Sequence, residues 1–188
     1  MQFEEMFEKY VEWKILRLFL RNPTTPFYVK EVARKLKVSS SSASKFLNQM
    51  QKDGIFKKEI TGNTHLYRLN DELEIVKKLK VFHTLVEIQN AKLVKLFREK
   101  DGTIISIVLY GSHASGENDE KSDIDLLILS NQKKDFIDVI QEIEKKLGKE
   151  VTVERFSIGG WNEMKEKDRT FYNSVKENHS ILYGSGLP

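Results

Sequence analysis

The chain has 188 residues, 39% of them hydrophobic and 31% charged, with a formal net charge of +3 and no cysteine. That length holds one large or two small domains, each with its own core, and the absence of cysteine excludes disulfides, thiolate zinc sites and a cysteine nucleophile together. No apolar run reaches the ~20 residues that span a bilayer, and the amino terminus MQFEEMFEKY is too charged for a signal peptide, so a cytoplasmic protein with no membrane partner is expected.

Charge is divided unevenly. Residues 1–70 hold 13 Lys and Arg against 7 Asp and Glu, a net of +6, while residues 71–188 hold 18 against 21, a net of −3. The basic excess in the first part is the footprint of a polyanion partner. From Phe3 to Leu20, the apolar residues Phe7, Tyr10, Val11, Ile15, Leu18 and Phe19 recur at helical spacing, and Asn22-Pro23 closes the helix. After a linker, Thr24 to Phe27, an amphipathic helix runs from Val29 to Leu36 with Val32, Ala33 and Leu36 inward. Ser39 is an N-cap for a third helix that reaches Lys52, with Ala43, Phe46, Leu47 and Met50 on its buried side and Gly54 past its end. Ile55 to Ile60 and His65 to Leu69 read as two strands of a hairpin around Thr61-Gly62-Asn63-Thr64.

This order of helix, helix, helix and hairpin, with the run VKEVARKLKVSSSSASKFLNQMQKDGIFKKE, resembles the winged helix-turn-helix domain of prokaryotic, archaeal-type regulators. The resemblance implies DNA as a partner and puts the third helix in the major groove. Ser40, Ser41, Ser44, Lys45, Asn48 and Gln49 would then face the DNA, and Lys57, Lys58 and Arg68 of the wing would neutralise phosphates. A winged helix used for protein contact is the alternative.

From Asp71 to Lys100 there is neither Gly nor Pro, and Ile75, Leu79, Phe82, Val86, Leu93 and Phe97 form a helical stripe. A continuous helix of about thirty residues, roughly 45 Å long, is expected as a connector and as the contact of a homodimer. Asp101-Gly102 ends it.

The most informative stretch follows, Ile104 to Leu129. Ile104 to Tyr110 is a β-branched, apolar strand that stops at Gly111-Ser112, and Ile124 to Leu129 is a second strand entered through Asp123-Ile124-Asp125. Strand alternation puts Asp123 and Asp125 on one face. Two adjacent carboxylates repel each other unless a cation lies between them, and hard oxygen ligands favour Mg²⁺ or Mn²⁺. A glycine turn with backbone N–H groups and a serine hydroxyl can hold a phosphate chain. The pattern therefore predicts a site for a metal-bound nucleoside triphosphate. Beyond it, Asp135 to Leu147 reads as a helix with Phe136, Val139, Ile140 and Ile143 inward, Gly148 as its stop, Val151 to Phe156 as a third strand, and the part from Trp161 as one or two helices.

Gly111-Ser112 followed after ten residues by Asp123-Ile124-Asp125 resembles the signature of the DNA polymerase β-like nucleotidyltransferase superfamily, most closely its minimal nucleotidyltransferase (MNT) branch. The resemblance covers roughly the last ninety residues. It implies that Asp123 and Asp125 hold the metal ions, that Gly111 and Ser112 grip the triphosphate, and that a third carboxylate on a later strand activates the acceptor hydroxyl. Many members carry arginines within the turn, where this chain has His113 and Ser115, and His113 is the histidine placed to touch phosphate. In LGKEVTVERFS the family's third acid would fall on Thr152. Glu154, two residues on and on the same strand face, is the candidate to replace it, and a site with two acids only is the alternative.

The fold expected is α+β: a winged helix over 1–70, a connecting helix over 71–101, and over 102–188 a polymerase β-like nucleotidyltransferase domain with a mixed three-stranded sheet. The leading function is Mg-dependent transfer of a nucleoside monophosphate from NTP to a hydroxyl, tethered to DNA. The alternative is a transcription regulator or antitoxin whose nucleotidyltransferase-like domain senses a nucleotide or binds a partner, for which the resemblance suggests a small helical HEPN protein.

Overall fold

The computed structural model describes residues 9–62, 64–132 and 134–188. The beginning of the first expected helix, Phe7 included, lies outside the described residues, as does Asn63 of the hairpin turn. The chain forms two compact units, Met1–His83 and Thr84–Pro188.

In the first unit, helix α1 spans Val11–Arg21 and starts after Tyr10, whose extended backbone (φ −91°, ψ 125°) makes it the N-cap and not a helical residue. The segment expected as a linker runs into a two-residue strand, β1 (Phe27–Tyr28), and helix α2 (Val29–Leu36) follows at once. Helix α3 (Ser40–Lys52) is capped by Ser39, whose Oγ accepts the Ser42 N–H at 3.0 Å. At its far end Gly54, at φ +77°, lets the Ile55 N–H return to the Met50 carbonyl at 2.9 Å, the left-handed ending that glycine favours. Strands β2 (Phe56–Thr61) and β3 (Thr64–Leu69) pair antiparallel, and β1 adds to the free side of β3. Their core is aromatic at its centre, where Phe19 stacks on Phe56 with centroids 4.4 Å apart and meets Phe27 edge-on at 5.3 Å, an arrangement worth about 0.5–1.5 kcal/mol per pair beyond area burial.

The continuous connector is not observed. Helix α4 (Glu74–Ala91) stops, Lys92 adopts a left-handed conformation (φ 59°, ψ 33°), and helix α5 (Leu93–Lys100) begins anew. The first half of α4 places Val76 and Leu79 in the core of the first unit, and its second half places Leu85 and Ile88 in that of the second. Among the described residues no helix is long and apolar enough to cross a membrane.

The second unit is a sheet covered on both faces. Its strands are β4 (Ile104–Tyr110), β5 (Ile124–Ser130), β6 (Val151–Phe156) and β7 (Ser180–Gly184), in the order β6-β5-β4-β7. Only β5 and β6 run parallel. The sheet is mixed, as expected, but has four strands and not three, because the chain end returns as β7 beside β4. Between the strands lie the one-turn helix α6 (Ser112–Ser115) and helices α7 (Ile137–Leu147), α8 (Ile158–Lys167) and α9 (Arg169–Glu177). Alternation along β5 sends Ile124, Leu126 and Ile128 into one core with Phe97, Phe136 and Ile143, and Leu127 and Leu129 into the other with Val108, Trp161 and Val175. A strand buried on both faces reads as an unbroken apolar run, and each such side chain contributes about 1.5–3 kcal/mol through burial. Asp125 falls on the face of Leu127 and Leu129, at the end of the strand where the apolar contacts stop.

Candidate functional site

Strand β4 ends at Tyr110, and the chain turns through Gly111 at φ +70° and ψ −156°, a conformation open essentially to glycine alone. A Cβ built at Gly111 would lie 2.3 Å from Oδ2 of Asp125. The turn backbone is thus set directly against that carboxylate, and the two halves of the sequence pattern meet. Strand pairing makes the meeting unavoidable, since Tyr110 is the register partner of Asp125. After Gly111, the Ser112 carbonyl collects the N–H groups of Gly116, Glu117 and Asn118 at 2.9, 2.9 and 3.2 Å, which folds the loop back toward Asp123.

Three acids share this region unequally. Burial, then the charge of Asp123, pushes the Asp125 carboxyl above the usual carboxylate range. Burial, then the charges of Asp125 and Glu154, pushes the Tyr110 hydroxyl up to about 12, so Glu154 is near enough to be felt on the same face. It is not beside Asp125, however. Thr152 is the register partner of Asp125, and Glu154 sits next to Leu127, ~6.6 Å further along at ~3.3 Å per residue. Among the described residues no group of three His, Cys, Asp or Glu gathers closely enough to hold a metal ion. Asp123 and Asp125 nevertheless suit a divalent cation, because Mg²⁺ is commonly held by one or two carboxylates together with substrate phosphates and water, and a cation there would offset both the burial and the Asp123 charge that raise Asp125.

His113, expected as a phosphate contact, is turned into the domain. It is buried, with Nδ1 2.8 Å from the Thr84 hydroxyl and Nε2 3.3 Å from the Ser122 carbonyl. A carbonyl only accepts, which assigns the proton to Nε2 and, in the neutral ring, makes Nδ1 the acceptor for Thr84. Lys149, which sequence reasoning passed over, reaches the same loop: its Nζ donates to the carbonyls of Asp119, Glu120 and Ser122 at 3.4, 3.0 and 3.3 Å. Nothing in the pattern around Lys149 distinguishes it from a surface lysine.

In the first unit the residues assigned to DNA divide in two. Ser40, Ser41, Lys45 and Gln49 are exposed on α3, although Gln49 Nε2 donates to both carboxylate oxygens of Asp53 at 3.0 and 3.1 Å. Asn48 is turned inward and does not offer its amide to base edges. It donates to the Ser44 carbonyl and hydroxyl at 2.9 and 3.2 Å and accepts from the Tyr67 hydroxyl at 2.9 Å, tying α3 to β3. On the hairpin, Lys57 pairs with Glu72 at 2.6 Å, Arg68 pairs with Glu59 at 2.9 Å, and the Lys58 ammonium lies 5.6 Å over the Tyr67 ring. Pairs open to solvent on the carboxylate side are weak, so a polyanion can displace them.

The Gly111 conformation carries a direct test. Gly111→Ala should lower nucleotide affinity more than tenfold, since Asp125 must move to admit the methyl group, and the strain of order 1–3 kcal/mol should lower the melting temperature by several degrees. Calorimetric titration with NTP and Mg²⁺, beside thermal unfolding, measures both, and unchanged binding would separate Gly111 from the site.

Residues 91–182 match the family model of the nucleotidyltransferase domain. No curated protein matches the chain. Among solved structures, a toxin–antitoxin crystallised with AMP-PNP aligns at 23% identity and a TM-score of 0.40, covering 50% of this chain and 72% of that one. Two variants of the toxin–antitoxin MntA–HpeT align at 22% and 21% identity, each with a TM-score of 0.38, covering 50% of this chain and 71% and 72% of theirs.

Proposed function

We propose that the nucleotidyltransferase domain over residues 91–182 moves a nucleoside monophosphate from NTP to a hydroxyl acceptor, and that the first unit is a winged helix that holds it on DNA. The observation that carries the catalytic half is the Gly111 turn packed against Asp125, with Asp123 close enough to raise that carboxyl. Asp123 and Asp125 would hold Mg²⁺ or Mn²⁺, and Gly111 and Ser112 would seat the triphosphate. Bound there, the metal would neutralise phosphate charge and lower the pKa of the acceptor hydroxyl. Glu154 accepts the proton of that hydroxyl as its oxygen bonds to the α-phosphorus, the bond from the α-phosphorus to the bridging oxygen breaks, and pyrophosphate leaves with the electron pair. Half-buried Tyr110 remains a neutral phenol beside these acids at physiological pH, a hydrogen-bond donor and not a competing anion. Incubation with α-labelled NTPs, Mg²⁺ and cell extract tests the reading: label in a macromolecule and stoichiometric pyrophosphate are expected, and no transfer from any NTP would overturn it.

A second reading is favoured by the offset of Glu154 from Asp125 and by Ser115 and inward-turned His113, at places where many members of the family that the signature resembles carry arginines. In it the domain binds Mg·NTP and transfers nothing, acting as the sensor of a DNA-bound regulator or as an antitoxin with a HEPN-type partner.

The DNA half rests on α2 and α3 followed by the β2–β3 hairpin, with exposed Lys45 and wing cations. Sequence-tolerant DNA binding should weaken steeply with salt. Lys45→Ala with Lys58→Ala should reduce the slope of log K against log salt by about 2, close to 0.9 per phosphate contact. Fluorescence anisotropy across a salt series reads this, and absence of binding at low salt would make the unit a protein-contact module.

A further inference from the structure

Between the Gly111 turn and Asp123 the chain crosses a loop whose internal bonds are local: the Asp119 N–H donates to the Ser122 hydroxyl at 2.9 Å, that hydroxyl donates to Asp119 Oδ1 at 2.9 Å, and the Lys121 N–H donates to the same oxygen at 2.8 Å. Such a turn fixes its own shape but not its position against the sheet. Lys149, which precedes β6, reaches across to this turn and inserts its ammonium among three carbonyls of the loop. The last of these, Ser122, is the residue before Asp123, and its carbonyl also accepts from His113 Nε2 at 3.3 Å. Two side chains from distant parts of the second unit thus converge on the peptide that aims Asp123.

We propose that Lys149 is a positioning residue for the two-acid site: by clamping the 119–122 loop it fixes the approach of Asp123 to Asp125 and sets the affinity for the divalent cation. This rests on the metal–nucleotide reading given above. Burial holds the Lys149 ammonium below the usual lysine range, and the nearby charges of Asp119, Glu120 and Asp123 offset part of that. A half-buried lysine with three carbonyl partners is held in one geometry, unlike a solvated one. Outer-sphere groups that orient metal ligands commonly change metal affinity ~10–100-fold when removed.

The test is a Mg²⁺ titration of NTP binding by the full chain, using whichever of the four NTPs binds wild type best. Lys149→Met keeps the aliphatic stem and removes the donors. It should raise the half-saturating Mg²⁺ concentration about tenfold or more, while NTP affinity at saturating Mg²⁺ changes less than about threefold. Lys149→Arg, which keeps charge and donors, should recover most of the loss. A lysine that served the fold alone would lower the melting temperature without splitting the two affinities. If Lys149→Met fails to fold, Lys149→Gln, which retains an amide donor but is too short to span the three carbonyls, is read instead, with the same shift expected. An unchanged Mg²⁺ midpoint in the folded variant overturns the clamp while leaving the site reading standing. If wild type itself binds no NTP with Mg²⁺, the site reading falls and takes the clamp with it.

Discussion

Replacing Asp123 and Asp125 together by Asn should abolish Mg²⁺-dependent NTP binding while making the metal-free protein more resistant to heat. The two effects have one cause. Asp125 is partly buried beside Asp123, and burial first, then that neighbouring charge, holds its carboxyl above the usual range. For a carboxyl raised in the folded state, the stability it contributes is fully present below the unfolded pKa, where the group is protonated in both states, and is lost as pH rises through the folded value. The Asp125 carboxylate is therefore held at a cost to the apo protein above that value. Asn relieves the repulsion and leaves nothing to hold a cation. A melting temperature that rises by a few degrees at pH 7, with the gain shrinking toward pH 4, would accompany loss of calorimetric binding. Binding of NTP that is unaffected by EDTA in wild type, or that survives in the double variant, would remove the two acids from the nucleotide site.

What the sequence made legible follows the range of the forces involved. Strands β4 and β5 announce themselves because both faces of the sheet are covered, which demands unbroken apolar runs at Ile104–Tyr110 and Ile124–Ser130. Helix α3 was bounded correctly because its signals are local, a serine cap at one end and Gly54 at the other. The end of α4 carries no such signal: Lys92 takes a left-handed conformation without being Gly or Asn. Strand β7 went unread because five residues after two helices carry too short an alternation to separate a strand from a helix tail. Its pairing to β4 is a contact across more than seventy residues, and it requires Gly184, where a Cβ would lie 2.1 Å from the Ile105 carbonyl oxygen.

The same distinction holds at the site. The Gly-Ser turn and the paired acids are close in sequence and joined by one strand pairing, so spacing alone brought them together. The partners of His113 and Asn48 could not be read locally, because one is Thr84, twenty-nine residues earlier, and the other is Tyr67 on the hairpin. Lys149 was invisible for the converse reason, since its ligands are backbone carbonyls that no residue type advertises. Proximity set by spacing along adjacent strands was readable, and proximity set by where the distant backbone passes was not.

Glu154→Gln should lower nucleotidyl transfer by ~10²-fold or more while leaving Mg·NTP affinity within about threefold, the usual signature of losing a general base and not a ligand. Glu154 is exposed on β6 and stands beside Leu127, one strand pair beyond Asp125, whose direct neighbour is Thr152. The displacement removes it from the first coordination of a cation held by Asp123 and Asp125, consistent with the absence of a three-acid cluster among the described residues. It does not remove it from an acceptor hydroxyl, which would attack the α-phosphorus opposite the departing pyrophosphate, and a glutamate has one more methylene of reach than an aspartate at the same position. The charge of Glu154 is already felt at Tyr110, the residue paired with Asp125, so the intervening distance is short enough for electrostatic coupling. Thr152→Asp supplies the complementary change. Placing an acid at the register position next to Asp125 should tighten the Mg²⁺ midpoint and, in the Glu154→Gln background, recover part of the lost transfer. Single-turnover measurements of both variants decide the matter: transfer unaffected by Glu154→Gln would leave a two-acid site, and the nucleotide would then be a signal to be sensed and not a substrate to be consumed.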